Sequence, residues 1–195
     1  MRAIIALALL VTPAVAHADS YVGLAAGLVL PQSDDAYTDA VDTSPMLGVR
    51  VGAYPQEFGG YLSFEWMVVD AKADGTFGLD VSAHRFRLIV GPEIHHELSN
   101  TLAVTGRGGI GLDIARSHVE GNVLGVNVDS SETDMGLGFE FAGGLWAHVG
   151  GLEVGGEISL PVSIHDDDST ENDFDYDYTA VDIQLMFGIR FVTRK

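Results

Sequence analysis

The sequence predicts an all-β protein: an eight-stranded antiparallel up-and-down transmembrane β-barrel with short periplasmic turns and four longer acidic external loops. The stretch DIQLMFGIRF, residues 182–191, alternates large apolar side chains with polar or small ones, which is the period of a strand with two unlike faces. Similar segments recur along the chain, and no segment has the pattern of a capped amphipathic helix. Short and long connections alternate between these segments, as they do in membrane barrels.

Residues 1–18 are predicted to be a signal peptide that is cleaved on export. A charged start, Met1-Arg2, precedes the apolar run AIIALALLVTPAVA, and Ala16-His17-Ala18 fits a cleavage site. The apolar run is too short to span a bilayer, and no other stretch approaches the length of about 20 apolar residues that a spanning helix needs. The expected organisation is therefore a signal peptide, 1–18, and one outer-membrane barrel domain, 19–195.

The composition narrows the possible partners and sites. The chain has no cysteine, so disulfides and thiolate sites are excluded even in an oxidising compartment. A net charge of −18 argues against nucleic acid as a partner. The chain has 24 glycines, 47 % hydrophobic residues and only two lysines, which is unusual for an acidic soluble protein, whose surface normally carries many lysines.

Eight strands follow from the alternation and the turn signals. Their approximate ranges are 20–30, 45–54, 60–70, 81–97, 101–116, 134–149, 151–164 and 178–192. Three connections are short: PQEFGG, LSN and a Gly-Gly pair. The other four are loop 1 (31–44), loop 2 (70–80), loop 3 (116–134) and loop 4 (165–177), with net charges of −4, −2, −3 and −7. Within loop 3, the segment NVLGVNV is a candidate for extending its flanking strands beyond the membrane.

The decisive question is which face of the strands points inward. One face is apolar and nearly free of charge along whole strands, with Leu24, Phe64, Leu88 and Phe187 as examples, as a lipid-facing band requires. The other face is charged and includes small residues, so we place it in the interior as an ion-pair network. Its members are Arg50, Glu65, Arg85, Arg87, Glu93, Arg107, Asp113, Glu140, Glu153, Glu157, Asp182 and Arg190.

The choice of cation supports this assignment. All five basic residues of the charged face are arginines, whose planar fork suits confined, bidentate pairing with carboxylates. An eight-stranded barrel has just enough interior for side chains to fill. Trp146 and His148 fall on the inner parity, which is crowded for a tryptophan, and bulges near Pro92 and Pro161 would shift the parity locally. A soluble, lipocalin-like lipid carrier with the faces reversed is the alternative.

Two segments carry a family resemblance. RFRLIVGPEIHHELSNTLAVTGRGGIGLDIA, residues 85–115, resembles the central hairpin of the eight-stranded outer-membrane barrels of Gram-negative bacteria, the group that includes OmpX, Ail and the transmembrane domain of OmpA. The last strand, with Phe187, Gly188, Ile189 and Phe191, resembles the assembly signal of that family, although here Val192-Thr193-Arg194-Lys195 follow the final aromatic residue. The resemblance implies residence in the outer membrane among lipid and lipopolysaccharide, and insertion by the barrel-assembly machinery.

Two further clusters contain residue types that can bind a metal ion or catalyse a reaction. In loop 4, Asp166, Asp168, Asp173 and Asp175 offer oxygen ligands for weak divalent-cation binding, but Glu171 stands where a calcium-binding EF-hand loop requires glycine. A solvated acidic loop is the favoured interpretation. The segment HHELSN places His95, His96, Glu97 and Ser99 close together, yet neighbouring strand residues point to opposite faces.

The expected function is therefore non-enzymatic. We expect a barrel with a filled polar interior, no cofactor, and a role in envelope integrity or surface interaction. A narrow solute pore and a lipid-modifying outer-membrane enzyme are, with the soluble carrier, the alternatives. Because fold alone does not determine function, these alternatives have to be weighed on the geometry of the site.

Overall fold

The computed structural model of the chain describes residues 19–32, 41–69, 79–123, 126–165 and 178–193. Eight antiparallel strands pair in chain order, and the last strand pairs with the first to close a barrel. The predicted fold class is confirmed. The strands are β1 (Asp19–Pro31), β2 (Ser44–Tyr54), β3 (Phe58–Val69), β4 (Leu79–Ser99), β5 (Leu102–Val123), β6 (Val126–Val149), β7 (Leu152–His165) and β8 (Tyr178–Thr193). Within the described ranges, no helix is both long and apolar enough to cross a membrane.

Loop 3 is the main correction to the predicted strand boundaries. Most of residues 116–134 is strand, because β5 and β6 continue to pair from Arg116 with Thr133 up to Val123 with Val126. Likewise Leu79 and Asp80, which we assigned to loop 2, belong to β4. The prediction stopped early because beyond residue 116 the alternation of apolar and polar side chains ends, although the backbone ladder goes on.

The prolines do not shift the strand parity. The pairs on either side of Pro92, Val90 with Ile110 and Glu93 with Arg107, keep one register. The pairing of Pro161 with Glu140 also keeps the register of its neighbours. Each proline only interrupts the ladder on one side, where its missing N–H would have donated. The register shift in the pairing of β4 with β5 lies between Glu97 and Ser99, at the end of β4.

Burial separates the two faces of the wall. The large apolar side chains of the outward face remain exposed on the isolated protein, as at Leu24, Phe141 and Phe187, and lipid covers such a band in a membrane barrel. All twelve charged residues of the predicted inner face are buried, with none more than 7 % exposed. The barrel therefore has an apolar exterior and a charged interior.

Close approach between strands depends on inward-facing glycines at a few positions. A Cβ atom at Gly111 would overlap the carbonyl oxygen of Leu88, and one at Gly155 would overlap that of Leu145. Both collisions are with backbone, which cannot move aside as a flexible side chain can. Glycine at these positions lets adjacent strands curve tightly around the interior side chains.

Candidate functional site: the charged interior

The centre of the interior is a carboxylate that receives three guanidinium groups. Arg50 on β2 donates from Nη1 to both carboxylate oxygens of Glu157 on β7, at 3.0 and 2.7 Å. Arg190 on β8 donates from Nη2 to Glu157 Oε1 at 2.8 Å, and Arg107 on β5 donates to Oε2. One side chain thus ties together four strands from different sides of the barrel. Charge-assisted hydrogen bonds of this kind are the strong ones.

Towards the short turns, Arg190 connects this centre to a layer of aromatic residues. Its Nη1 donates to Glu93 Oε1 at 2.9 Å, and Glu93 also accepts from the Tyr21 hydroxyl. The Arg190 guanidinium lies 3.9 Å from the ring centroid of Trp146 and 4.4 Å from that of Tyr21. These are cation–π contacts in a desolvated setting, where such contacts are strongest.

Towards the external loops, two further groups of ion pairs continue the network. Arg87 pairs with Glu65, and Arg107 Nε donates to Glu140 Oε1 at 2.6 Å. Above them, Arg85 bridges two carboxylates, donating from Nε to Asp113 at 2.8 Å and from Nη1 to Asp182 at 2.9 Å. The ion pairs therefore extend through most of the barrel's length.

Sequence reasoning missed an apolar cluster inside the barrel. Val29, Met46, Met67 and Met186 pack together in the interior, and nearby Gln184 accepts a hydrogen bond from Ser159 at 2.8 Å. Their inward parity was visible in the alternation, but methionine on an otherwise polar face gave no separate signal. Flexible methionine side chains are well suited to fill irregular gaps.

The free volume beside the central arginines is small. The cavity between Arg50, Glu65, Trp146 and Arg190 amounts to about 10 Å³, which is close to the minimum needed for a single water molecule.

Across the described residues, the buried set contains five arginines and seven carboxylates. Two of the carboxylates, Glu153 and Asp113, lie near buried histidines.

The structure does not assemble the catalytic candidates. His95 points into the barrel and is buried, whereas its neighbour His96 is exposed and lies 2.8 Å from Glu57 Oε1. Ser99 Oγ lies 3.2 Å from Thr101 Oγ1. The separation of the two histidines follows from strand geometry, as expected. The acidic residues of loop 4 that were considered for divalent cations, Asp166, Asp168, Asp173 and Asp175, lie outside the described residues.

Comparison with known proteins gives the family. A family model described as an outer membrane protein beta-barrel domain matches residues 3–191. No curated protein sequence matches the chain significantly.

Among solved structures, the attachment invasion locus protein Ail of Yersinia pestis has a TM-score of 0.53 and 13 % identity, covering 90 % of this chain and 99 % of that one. Neisserial surface protein A has a TM-score of 0.55 and 11 % identity, covering 88 % and 96 %. A major outer membrane protein of Thermus thermophilus has a TM-score of 0.55 and 12 % identity, covering 90 % and 99 %. At such low identities the likeness concerns the fold.

Proposed function

Because the chain belongs to the outer membrane protein β-barrel domain family and is therefore an outer-membrane protein set in lipid, we propose that it acts there as a closed, non-enzymatic barrel. Its main contribution is to envelope integrity, with lipopolysaccharide and the barrel-assembly machinery as partners. The filled interior carries this proposal: ion pairs centred on Glu157 and an apolar methionine cluster leave a cavity of about 10 Å³ beside the centre.

The interior geometry argues against a narrow solute pore. A conducting path would have to pass the three guanidinium groups held on Glu157, whose neighbouring strands contribute further buried ion pairs. Separating a buried ion pair leaves uncompensated charge and is costly. Side chains rather than water fill a barrel of eight strands.

The geometry also argues against a lipid-modifying enzyme built on HHELSN. A nucleophilic serine needs a base within hydrogen-bond reach of its hydroxyl. Ser99 Oγ lies beside Thr101 instead, and the exposed His96 ring lies beside Glu57. A non-enzymatic role is therefore the function that the described part of the chain supports best.

Planar-bilayer recordings test the closed barrel. The refolded protein is expected to give no conductance steps above the baseline of the empty bilayer, because the ion pairs block the lumen. A porin of known conductance, reconstituted in the same bilayer, shows that the assay detects an open lumen. Reproducible steps from the unaltered protein would contradict the proposal.

A surface-interaction role is the second candidate, and the β5–β6 hairpin favours it. Residues 126–135 of β6 pair with β5, whereas the pairing of β6 with the described part of β7 begins at Gly136. Among the described residues, no strand other than β5 pairs with this outer part of β6, and such a strand edge is a common site for binding another chain. The hairpin's exposed acidic residues, Glu120, Asp129 and Glu132, suit a cationic partner. Acidic external loops could also bridge to lipopolysaccharide phosphates through divalent cations.

The charge of the hairpin leads to a binding prediction. Ail of Yersinia pestis has been crystallised with the heparin analogue sucrose octasulfate, whereas we expect this chain to bind an immobilised lysine-rich peptide and not heparin. The variant Glu120→Gln with Asp129→Asn and Glu132→Gln should bind the peptide at least about threefold more slowly at low salt, and the difference should vanish at high salt. Surface plasmon resonance of the refolded proteins measures both effects. Retention on heparin, or an unchanged association rate, would refute this role for the hairpin.

A further inference from the structure

Two histidines and a glutamate meet inside the barrel near the short turns. His95 on β4, His148 on β6 and Glu153 on β7 each place one donor atom within 4.8 Å of those of the other two. His148 Nδ1 lies 3.3 Å from Glu153 Oε1, and His95 Nε2 lies 3.7 Å from the same oxygen. A tetrahedral metal ion about 2.1 Å from each ligand sets the ligand atoms about 3.4 Å apart. The cluster is therefore close to the spacing that a metal ion requires.

The backbone and an aromatic ring hold the two histidines in place. The His95 amide donates to the Glu57 carbonyl at 2.7 Å, and the His148 amide donates to the Thr101 carbonyl at 2.9 Å. The His95 ring stacks on Tyr54 with centroids 4.5 Å apart and planes 10° apart. Ligands already fixed in place lose little freedom when they bind a metal, and so favour binding.

The His95 ring is also short of hydrogen bonds. It is only 4 % exposed, and its Nδ1 has no hydrogen-bond partner. Its Nε2, at 3.7 Å from Glu153, is beyond hydrogen-bond distance. Nε2 is therefore the ring nitrogen that faces the carboxylate without a hydrogen bond to it, and its lone pair can be given to a metal ion.

We propose that His95, His148 and Glu153 form a binding site for Zn²⁺ or a similar late first-row transition-metal ion at the periplasmic mouth of the barrel. Two imidazoles with one carboxylate are a ligand set that such ions take, whereas Ca²⁺ and Mg²⁺ prefer oxygen ligands alone. Glu153 Oε2 faces Arg190 Nη1 at 4.0 Å, which leaves Oε1 towards the imidazoles. Water supplies the remaining ligand, and Glu97 Oε1 lies 3.9 Å from His148 Nε2, on the side of the ring where a metal-bound histidine usually has its outer carboxylate partner.

Titration of the refolded, detergent-solubilised barrel with Zn²⁺ tests the site. An excess of Mg²⁺ occupies the acidic external loops, so that only a site with nitrogen ligands competes for Zn²⁺. We expect one equivalent of Zn²⁺ to bind with a Kd of about 1 μM or tighter. The variants His95→Asn and His148→Asn should each lose at least about tenfold in affinity for Zn²⁺. Even the loss of a residue that only supports a metal ligand usually costs that much.

The matched control is His96→Asn combined with His118→Asn. Both residues are exposed histidines on strands of the same barrel, with side chains 51 % and 41 % exposed, and the control should bind Zn²⁺ as the unaltered protein does.

Heat-dependent gel mobility shows whether each variant has folded. If the site variants do not fold, the visible spectrum of Co²⁺ bound to the unaltered protein decides. Intense bands of a four- or five-coordinate ion support the site, and weak octahedral bands overturn it. Absence of Zn²⁺ binding above the Mg²⁺ background, or equal binding by folded His95→Asn and the control, would also overturn it.

Discussion

Replacement of Glu157 by alanine is expected to destabilise the folded barrel by about 3–5 kcal/mol, the usual cost of removing one partner from a buried ion pair. Arg50, Arg107 and Arg190 all donate to this carboxylate. Without it, three buried guanidinium groups would face one another with no carboxylate between them. The effect should reach the upper part of the range, because more than one cation loses a partner.

Equilibrium unfolding by urea in lipid vesicles, followed by heat-dependent gel mobility, measures this cost. The matched control is Glu120→Ala, which removes the same side chain from the β5–β6 hairpin, where it is 63 % exposed. That substitution should change the free energy of unfolding by less than about 0.5 kcal/mol. A cost at Glu157 no larger than at Glu120 would show that the interior pairs do not stabilise the barrel.

The partners within this network could not have been predicted from the sequence. Strand parity places Arg50 and Glu157 on the inner face, because side chains alternate with a period of two. It does not say that these residues, 107 positions apart, meet across the lumen. That contact depends on how far each strand is staggered against the next around the closed barrel. Alternation within single strands carries no information about this stagger.

The metal cluster could not be predicted for the same reason: the sequence predicts strand parity but not strand stagger. The sequence predicted that His95 and His96 point to opposite faces, and it placed His148 and Glu153 on the inner parity. It gave no reason to bring residues from β4, β6 and β7 to one level. The stagger aligns them in the structure, where Glu153 Oε1 lies within 3.7 Å of both imidazoles. The site became visible only through closure of the barrel.

The tryptophan inside the barrel is accommodated by glycines next to its ring. The alternation places Trp146 on the inner face, where it is buried and donates from Nε1 to Thr105 Oγ1 at 3.0 Å. The neighbouring strand positions make room. A Cβ at Gly144 would come within 2.8 Å of Trp146 Nε1, and one at Gly188 within 3.3 Å of Cη2. The glycines of the polar face therefore leave the space that the Trp146 ring occupies.

Replacement of Trp146 by alanine should accordingly cost about 3–5 kcal/mol of stability, as for other buried aromatic residues. The loss combines the cavity left between glycines, which have no side chains to fill it, with the contact to Arg190, whose guanidinium lies 3.9 Å from the ring centroid. Urea unfolding of the refolded barrel in vesicles is again the measurement. The expected result places Trp146 beside Glu157 among the residues on which the interior depends most.

The second tryptophan of the chain is the matched control. Trp66 lies on the outward face, 37 % exposed, where lipid tails can replace the contacts that its ring loses. Trp66→Ala should therefore cost at most about half as much as Trp146→Ala. If the two substitutions lower the free energy of unfolding equally, the Trp146 ring does not stabilise the barrel by filling its lumen. The cost of Trp146→Ala would then come from the wall of the barrel and not from its interior.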